Sequence, residues 1–116
     1  MSIITTFLSF FSCKSKEEKY LENHKVILYG TKEFDKFESI ANIKLDKAVD
    51  IQIEFAKKNH EDPKSIFFII DDYYVFSMQY NEKTPYVSIN GIWVNVNNGD
   101  VKHLTESDIT LRRYYK

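Results

Sequence analysis

The hydrophobic pattern of this chain changes its period at Pro63, and this change limits the folds open to it. Before Pro63, apolar residues in 34–41 and 45–56 recur every three or four positions, as on the buried side of a helix. After it, segments 65–70 and 73–80 are rich in β-branched and aromatic residues, which favour strands. Helices followed by hairpin-linked strands predict an α+β domain, with N-terminal helices packed on one face of an antiparallel sheet of four to five strands.

The helical region has two interpretations. Thr31 can cap the N-terminus of a helix, and the pattern continues to about Asn59 before Pro63 ends it. A break near Asn42 would divide this stretch into two helices. Ahead of it, the apolar run 26–29 predicts a strand or a buried extended segment.

Turn chemistry divides the second half of the chain. Asp71-Asp72 is compatible with a tight turn between two strands, and Asn90-Gly91 is the strongest hairpin signal, because a type I′ turn needs positive φ at both central positions. Residues 97–100 predict a further turn. The segment 105–108 resembles a helix cap, so a short terminal helix or strand is expected after it.

Length predicts a single domain, since 116 residues are enough for one core. We assign residues 25–116 to this α+β domain. The charged stretch 14–24 is expected to be a tether that becomes a helical turn. Residues 1–13 form a distinct N-terminal segment.

Cys13 is the only cysteine, and it lies where an apolar stretch meets a charged run. Such a junction is typical of a lipoprotein signal that is cut before a cysteine, which is then acylated. No positively charged side chain precedes Cys13, however, and the apolar residues Ile3, Ile4, Phe7, Leu8 and Phe11 also follow helical spacing. Segment 1–13 is therefore either a lipoprotein signal or a helix docked on the domain.

The residues Phe-Ser-Cys13, followed by Lys, Ser and Glu, resemble the signals of lipoproteins from Bacteroidetes-type bacteria. This resemblance implies lipidation of Cys13, a membrane tether, and a location in the cell envelope on the periplasmic side. Without processing, the protein is expected in the cytoplasm.

Composition argues against several kinds of function. A formal net charge of −1 disfavours a nucleic-acid partner, and three glycines leave no phosphate-binding loop. The three histidines, His24, His60 and His103, lack the spacing of a metal site. Asp71 and Asp72 could act as paired carboxylates, but an exposed turn explains them more simply. We therefore expect a non-enzymatic protein without cofactor or metal.

Aromatic residues make up 16% of the chain, more than a small core usually needs, and indicate a contact surface for another protein. Trp93 is placed by strand alternation opposite Ile92, Val94 and Val96. It is either an exposed contact beside Tyr80 or Tyr86, or a residue covered by another part of the chain. The candidate partner-binding residues are Trp93, Tyr80, Tyr86, Asp71, Asp72, Arg112, Arg113 and Tyr114.

The segment from Leu45 onward resembles small immunity proteins of bacterial toxin systems and the PepSY-type and NTF2-like domains that share its ending. The resemblance lies in a helix, a Tyr-Val-Phe strand, and Ile-Asn-Gly-Ile-Trp-Val-Asn-Val-Asn-Asn-Gly-Asp-Val. Asn97, Gly99 and Val101 match the hairpin of these families, and Asn98 stands where Thr is usual.

This second resemblance implies a non-enzymatic module that neutralises a cognate protein toxin by occluding it. The alternative is an envelope lipoprotein that binds a small ligand or a cell-wall component. In that case we expect a pocket lined by Tyr73, Tyr80 and Tyr86 with converging polar groups.

Overall fold

The structure, a computed structural model, describes residues 14–78 and 83–113, and this part of the chain contains three helices and seven strands. Their bounds, in chain order, are α1 Lys16–Asn23, β1 Val26–Leu28, α2 Lys32–Ile40, α3 Leu45–Lys58, β2 Ser65–Ile70, β3 Tyr73–Ser77, β4 Tyr86–Ser88, β5 Gly91–Asn95, β6 Val101–Leu104 and β7 Thr110–Arg112. The α+β prediction is confirmed.

Five strands form an antiparallel sheet in the order β1-β2-β3-β5-β6, and β4 pairs with β7 in a separate sheet of two strands. The predicted turn at Asp71-Asp72 joins β2 to β3, because Ile70 pairs with Tyr73 directly across it. Residues 96–100 connect β5 to β6, also as expected. Residues 14–78 and 83–113 therefore form one large sheet and one small sheet.

The predicted hairpin at Asn90-Gly91 is wrong. β4 lies in the small sheet, while β5 enters the large sheet between β3 and β6. Asn90 and Gly91 are thus a crossing from one sheet to the other. Glycine is needed there for close packing, since a Cβ on Gly91 would lie 1.9 Å from the carbonyl oxygen of Phe76. The Ser77 hydroxyl also holds the crossing: its single hydrogen is shared between the carbonyl oxygens of Ser88 and Asn90, which lie 2.5 Å and 2.9 Å from Ser77 Oγ.

Helices α2 and α3 cover one face of the large sheet, as predicted. The first core contains Phe34, Ala48 and Ala56 from the helices, packed with strand residues such as Phe76 and Ile92. Burying these side chains supplies about 25 cal/mol per Å² of apolar surface removed from water. The helical pattern runs through both helices because each one presents its apolar stripe to the same sheet.

The break between the two helices lies at residues 41–44, close to the expected position. The side chain of Lys44, the N-cap residue of α3, makes no capping hydrogen bond. The carboxylate of Glu38 instead accepts the Leu45 backbone N–H at 3.2 Å. The buried Tyr74 hydroxyl donates to the carbonyl oxygen of Ile43 at 2.6 Å. The linker is therefore held by both the preceding helix and the sheet.

The second face of the large sheet is also buried. It packs with residues of the small sheet and its flanks in a second core, whose fully buried members are Leu28, Phe68, Ile70, Val75, Val87, Ile89, Trp93 and Leu111. Segment 14–24, expected to be a tether or a turn, forms α1 and packs on this core through Tyr20. Residues 105–109 are not helical, and the terminal element is the strand β7.

We predict that Gly91→Ala lowers the free energy of unfolding by more than about 2 kcal/mol, because the added methyl group must displace the Phe76 carbonyl. Gly30→Ala is the matched control. Gly30 has φ +86° but no atom within 4 Å of a Cβ, so only backbone strain of about 1 kcal/mol is expected. Urea unfolding of both variants measures the difference, and equal losses would contradict the close-packing explanation.

Candidate functional site

Trp93, the predicted aromatic contact on β5, is buried. Its side chain is 4% exposed, and its indole N–H donates to the carbonyl oxygen of Ile89 at 2.9 Å. The strand alternation correctly places Trp93 opposite Ile92, but the face it occupies is the second core, which includes Val87 and Leu111. Of the two alternatives for Trp93, the structure therefore shows the second: the small sheet covers this residue, and it is not an exposed contact.

Tyr73 and Lys102 pack around Trp93. The ring centres of Tyr73 and Trp93 are 5.7 Å apart, and the Lys102 ammonium lies 5.0 Å from the Trp93 ring centre. Tyr86 belongs to β4 in the small sheet, and Tyr80 lies outside the described residues. The predicted ligand pocket lined by the three tyrosines stays a prediction.

Helix α1 begins at a capping box, Ser15-Lys-Glu-Glu18. The Ser15 hydroxyl oxygen accepts the Glu18 N–H at 3.1 Å, and the acidic residues of the first turn complement the helix dipole. No residue of α1 is fully buried. The helix is therefore held mainly by polar contacts at its two ends.

The first turn of α1 is attached to β7 and the residues just before it. The Glu17 carboxylate accepts the backbone N–H of Arg112 at 2.8 Å, and Lys16 forms an ion pair with Asp108. Beside this contact, Tyr86 is 37% exposed, with the Arg112 guanidinium carbon 5.5 Å from its ring centre. The structure thus brings the predicted contact residues Tyr86 and Arg112 together next to α1.

The other end of α1 is attached to the β2–β3 turn. His24 Nδ1 lies 2.7 Å from one Asp71 carboxylate oxygen, and the Lys25 backbone N–H donates to the other at 3.0 Å. The Tyr20 ring stacks on His24 with ring centres 4.1 Å apart. Asp71 has φ 54°, which aspartate tolerates better than most residues. Asp72 is exposed beside it.

These contacts set the charge at this end of the helix. Partial burial is the largest influence on Asp71 and raises its pKa, but the hydrogen bonds from His24 and Lys25 and the nearby positive charges outweigh it, and the net pKa is lowered. Burial, assisted by the Asp71 charge, raises the pKa of Tyr20 to about 12. At neutral pH, Asp71 is ionised and the Tyr20 hydroxyl is a neutral donor.

Two adjoining cavities form one groove along α1. The first has a volume of about 380 Å³, and the second, at the first turn of the helix, about 330 Å³. Both are lined by Lys16 and Asp108, so the two cavities meet at this ion pair and together make a groove from His24 to Tyr86. We call it the α1 groove; its lining residues are Ser15, Lys16, Glu17, Lys19, Tyr20, Asn23, His24, Tyr86, Asp108, Ile109 and Thr110.

The α1 groove connects candidates that are distant in the sequence. Asp71 holds its His24 end, while Tyr86 and Arg112 lie at the opposite end, and an eight-residue helix of about 12 Å separates them. Arg113 is adjacent to Arg112, and its backbone N–H donates to the carbonyl oxygen of Pro85 at 2.8 Å. Of the eight predicted contact residues, Tyr86 therefore lines the groove, and Asp71 and Arg112 contact residues that line it.

Sequence reasoning missed the helical side of the groove. Lys16, Lys19, Tyr20 and Asn23 have the spacing i, i+3, i+4 and i+7 of one helix face, and the capping box precedes them. Both signals could have identified a helix. The high charge of the segment favoured a tether instead.

Three candidates, Cys13, Tyr80 and Tyr114, lie outside the described residues. Within residues 14–78 and 83–113, no group of three His, Cys, Asp or Glu side chains could hold a metal ion. Nor does any helix of that part have the length and apolar character needed to cross a membrane.

Comparison with known proteins gives no match: no family model fits the chain, and searches among curated proteins and among solved structures found no similar protein. The interpretation of the α1 groove therefore depends on its geometry and chemistry.

We predict that the Asp71–His24 contact stabilises the fold only where Asp71 is ionised. Because its folded pKa lies below the unfolded value, this stability is present above about pH 4 and is lost as the pH falls through the folded pKa. Asp71→Asn should lower the free energy of unfolding at pH 7 by about 0.5 kcal/mol, a small figure because both side chains are more than a third exposed.

Urea unfolding between pH 3 and pH 7 measures this effect. The difference between wild type and Asp71→Asn should shrink at the acid end. Asp72→Asn is the control, because the Asp72 side chain makes no hydrogen bond or ion pair with residues 14–78 and 83–113. An effect of Asp71→Asn that does not depend on pH would contradict the prediction.

Proposed function

We propose that this protein is a non-enzymatic binding protein of the immunity type, which neutralises a cognate protein toxin by occluding it through the α1 groove. The observation that carries the proposal is that the two cavities of this groove adjoin along α1, with aromatic and charged residues at both ends.

The composition of the groove supports a protein partner. Tyr86 and Arg112 belong to the residue types most often found at the centre of protein interfaces, and they are already packed together before any partner arrives. Tyr20 and Ile109 add apolar surface between them and His24. Such preorganised side chains lose little conformational entropy on binding.

The shape of the groove also supports a protein partner. It is open along one side of a two-turn helix, so a strand or loop of another protein can lie in it over its whole length. Occlusion then needs only that the bound surface include the toxin's active site. This mechanism requires no chemical step by the groove residues.

We expect co-expression with the toxin to restore growth, and a purified complex to depend on the α1 groove. The toxin to be tested is the product of the adjacent open reading frame. Tyr86→Ala should weaken the complex about tenfold or more, as measured by calorimetry, because it removes an interface aromatic and the partner of Arg112.

Ile53→Ala is the matched control. Ile53 is 40% exposed, close to the 37% of Tyr86, but it lies on α3, which covers the opposite face of the large sheet. Its truncation should change the affinity less than about twofold. Absence of both growth rescue and a complex would contradict the immunity proposal, and equal effects of the two variants would contradict the choice of surface.

We propose further that Cys13 carries a lipid anchor and that the protein acts in the cell envelope. The position of α1 supports this proposal, because only Lys14 separates Cys13 from the helix cap Ser15. Two residues span at most about 7 Å. An anchor on Cys13 would therefore hold the first turn of α1, and with it the Tyr86 end of the groove, next to the membrane surface.

Intact-mass measurement of the protein from its native membrane tests the anchor. The expected mass lacks residues 1–12 and includes the lipid on Cys13, and Cys13→Ser should return the protein to the soluble fraction. Recovery of the native protein with Met1–Ser12 intact and without lipid would contradict the anchored form.

A further inference from the structure

A second cavity lies at the end of α3, where strands β3, β5 and β6 also begin or end. Its volume is about 200 Å³, and it shares no lining residue with the α1 groove. Glu61, Lys64 and His103 contribute charged or titratable groups, and Met78 and Leu104 contribute apolar surface. We call it the Lys64 pocket.

The end of α3 places Glu61 in this pocket. The helix closes with two backbone hydrogen bonds, from Glu61 N–H to the Ala56 carbonyl at 2.9 Å and from His60 N–H to the Lys57 carbonyl at 3.3 Å. His60 occupies, with φ 56°, the left-handed position where glycine is preferred. The chain therefore accepts some backbone strain to turn Glu61 toward β6.

Lys64 is held by an unusual backbone clamp. The side chain of Gln52, 1% exposed, accepts the Lys64 backbone N–H and donates to its carbonyl oxygen, both at 3.2 Å. Because both polar groups of the buried Gln52 amide bond the backbone of Lys64, they fix the position of that backbone. They thereby fix the start of the Lys64 side chain.

The Lys64 side chain is itself only 10% exposed. Its ammonium group lies 3.2 Å from one oxygen of Glu61, whose other oxygen is 3.3 Å from His103 Nε2. The Asp62 carbonyl accepts a second ammonium hydrogen at 3.4 Å. Among residues 14–78 and 83–113, no acceptor is found for the third.

Stability alone does not explain this arrangement. Taking an ammonium group out of water costs several kcal/mol, and a buried ion pair rarely stabilises more than an apolar replacement of the same volume. A methionine at position 64 would cover the same apolar surface without that cost. A nearly buried lysine that lines a cavity, and that keeps one ammonium hydrogen without an acceptor among residues 14–78 and 83–113, is typical of a binding site.

A second donor lines the same cavity. The Ser88 hydroxyl oxygen accepts the Asn90 N–H at 3.0 Å, and no acceptor for its own hydrogen is found in the described part of the chain. Ser88 is 8% exposed, so its hydroxyl is oriented by the fold rather than by solvent.

We propose that the Lys64 pocket binds a carboxylate group, with the Lys64 ammonium and the Ser88 hydroxyl as donors. Charge balance decides between carboxylate and more highly charged anions. The charges of Lys64 and Glu61 offset each other, so the pocket has little net positive charge, and bringing in a singly charged group costs less than bringing in a phosphate dianion. A volume of about 200 Å³ suits a small acid or the end of a peptide.

Titration of the ¹⁵N-labelled full chain with acetate, followed by NMR, tests the proposal. The backbone amides of Lys64, Ser88 and Thr105 should shift and saturate with a Kd in the millimolar range, on the order of what so few ligand atoms can supply. Acetamide has the same size without the charge and should cause no saturable shift. This comparison needs no variant, so it does not depend on the folding of a mutant.

Further probes identify the source of the carboxylate. If triglycine binds more tightly than acetate, and triglycine with an amidated C-terminus does not bind, the pocket is assigned to peptide C-termini. If triglycine and acetate bind with equal affinity, the pocket is assigned to small free acids. Lys64→Met should abolish the shifts, and Lys19→Met, in the α1 groove, should not. The proposal is overturned if acetate causes no saturable shift up to ~50 mM, or if acetamide binds equally well. The outcome of this titration does not depend on the outcome of the toxin experiment, because the two test different sites.

Discussion

The burial of both faces of the large sheet is the constraint on which the rest of the structure depends. Val75 and Trp93 face one side of the central strands, and Phe76 and Ile92 face the other, all with 4% exposure or less. Helices α2 and α3 cover the Phe76 side as one continuous layer. The Trp93 side is covered by two separate pieces, the small sheet and α1. The α1 groove is the seam between these pieces, so the candidate binding surface follows directly from how the second face is covered.

How far the sequence predicts this fold depends on whether a signal is local. The Thr31 cap, the Asp71-Asp72 turn and the alternation of β5 are local, and each is found as expected. The reason for glycine at position 91 is not local, because the backbone that approaches it closely belongs to Phe76, 15 positions earlier in the chain. From the sequence alone, a glycine needed for such close packing looks the same as a glycine needed for a turn. The choice between the two alternatives for Trp93 is not local either, since its cover comes from β4 and β7, which pair across more than 20 residues.

The candidate site was predicted in pieces and not as a surface. Tyr86, Arg112 and Asp71 were identified individually, by residue type or by position in a turn, and for the helix between them the sequence predicted only a tether that becomes a helical turn. Composition misled here, because Lys16–Asn23 is charged enough to appear solvated, yet it covers a core with one part-buried aromatic residue, Tyr20. The Lys64 pocket was missed differently: its residues come from the loop after α3 and from the ends of β3, β4, β5 and β6, and only the tertiary structure brings them together.

The weak attachment of α1 has a functional consequence. Because α1 has no fully buried residue and is held by Lys16–Asp108, Glu17–Arg112 and His24–Asp71, we expect it to open at a lower free-energy cost than the core strands. A partner that contacts both α1 and Tyr86 would bridge the seam and hold the helix against the small sheet. Part of the free energy of partner binding would then be used to order α1, which lowers the affinity. Any contact that fixes α1 before the partner binds would therefore raise the affinity. An anchor on Cys13 would hold the first turn of α1, which is the end of the helix next to Tyr86. Attachment to a membrane and affinity for the partner would then be coupled through this helix.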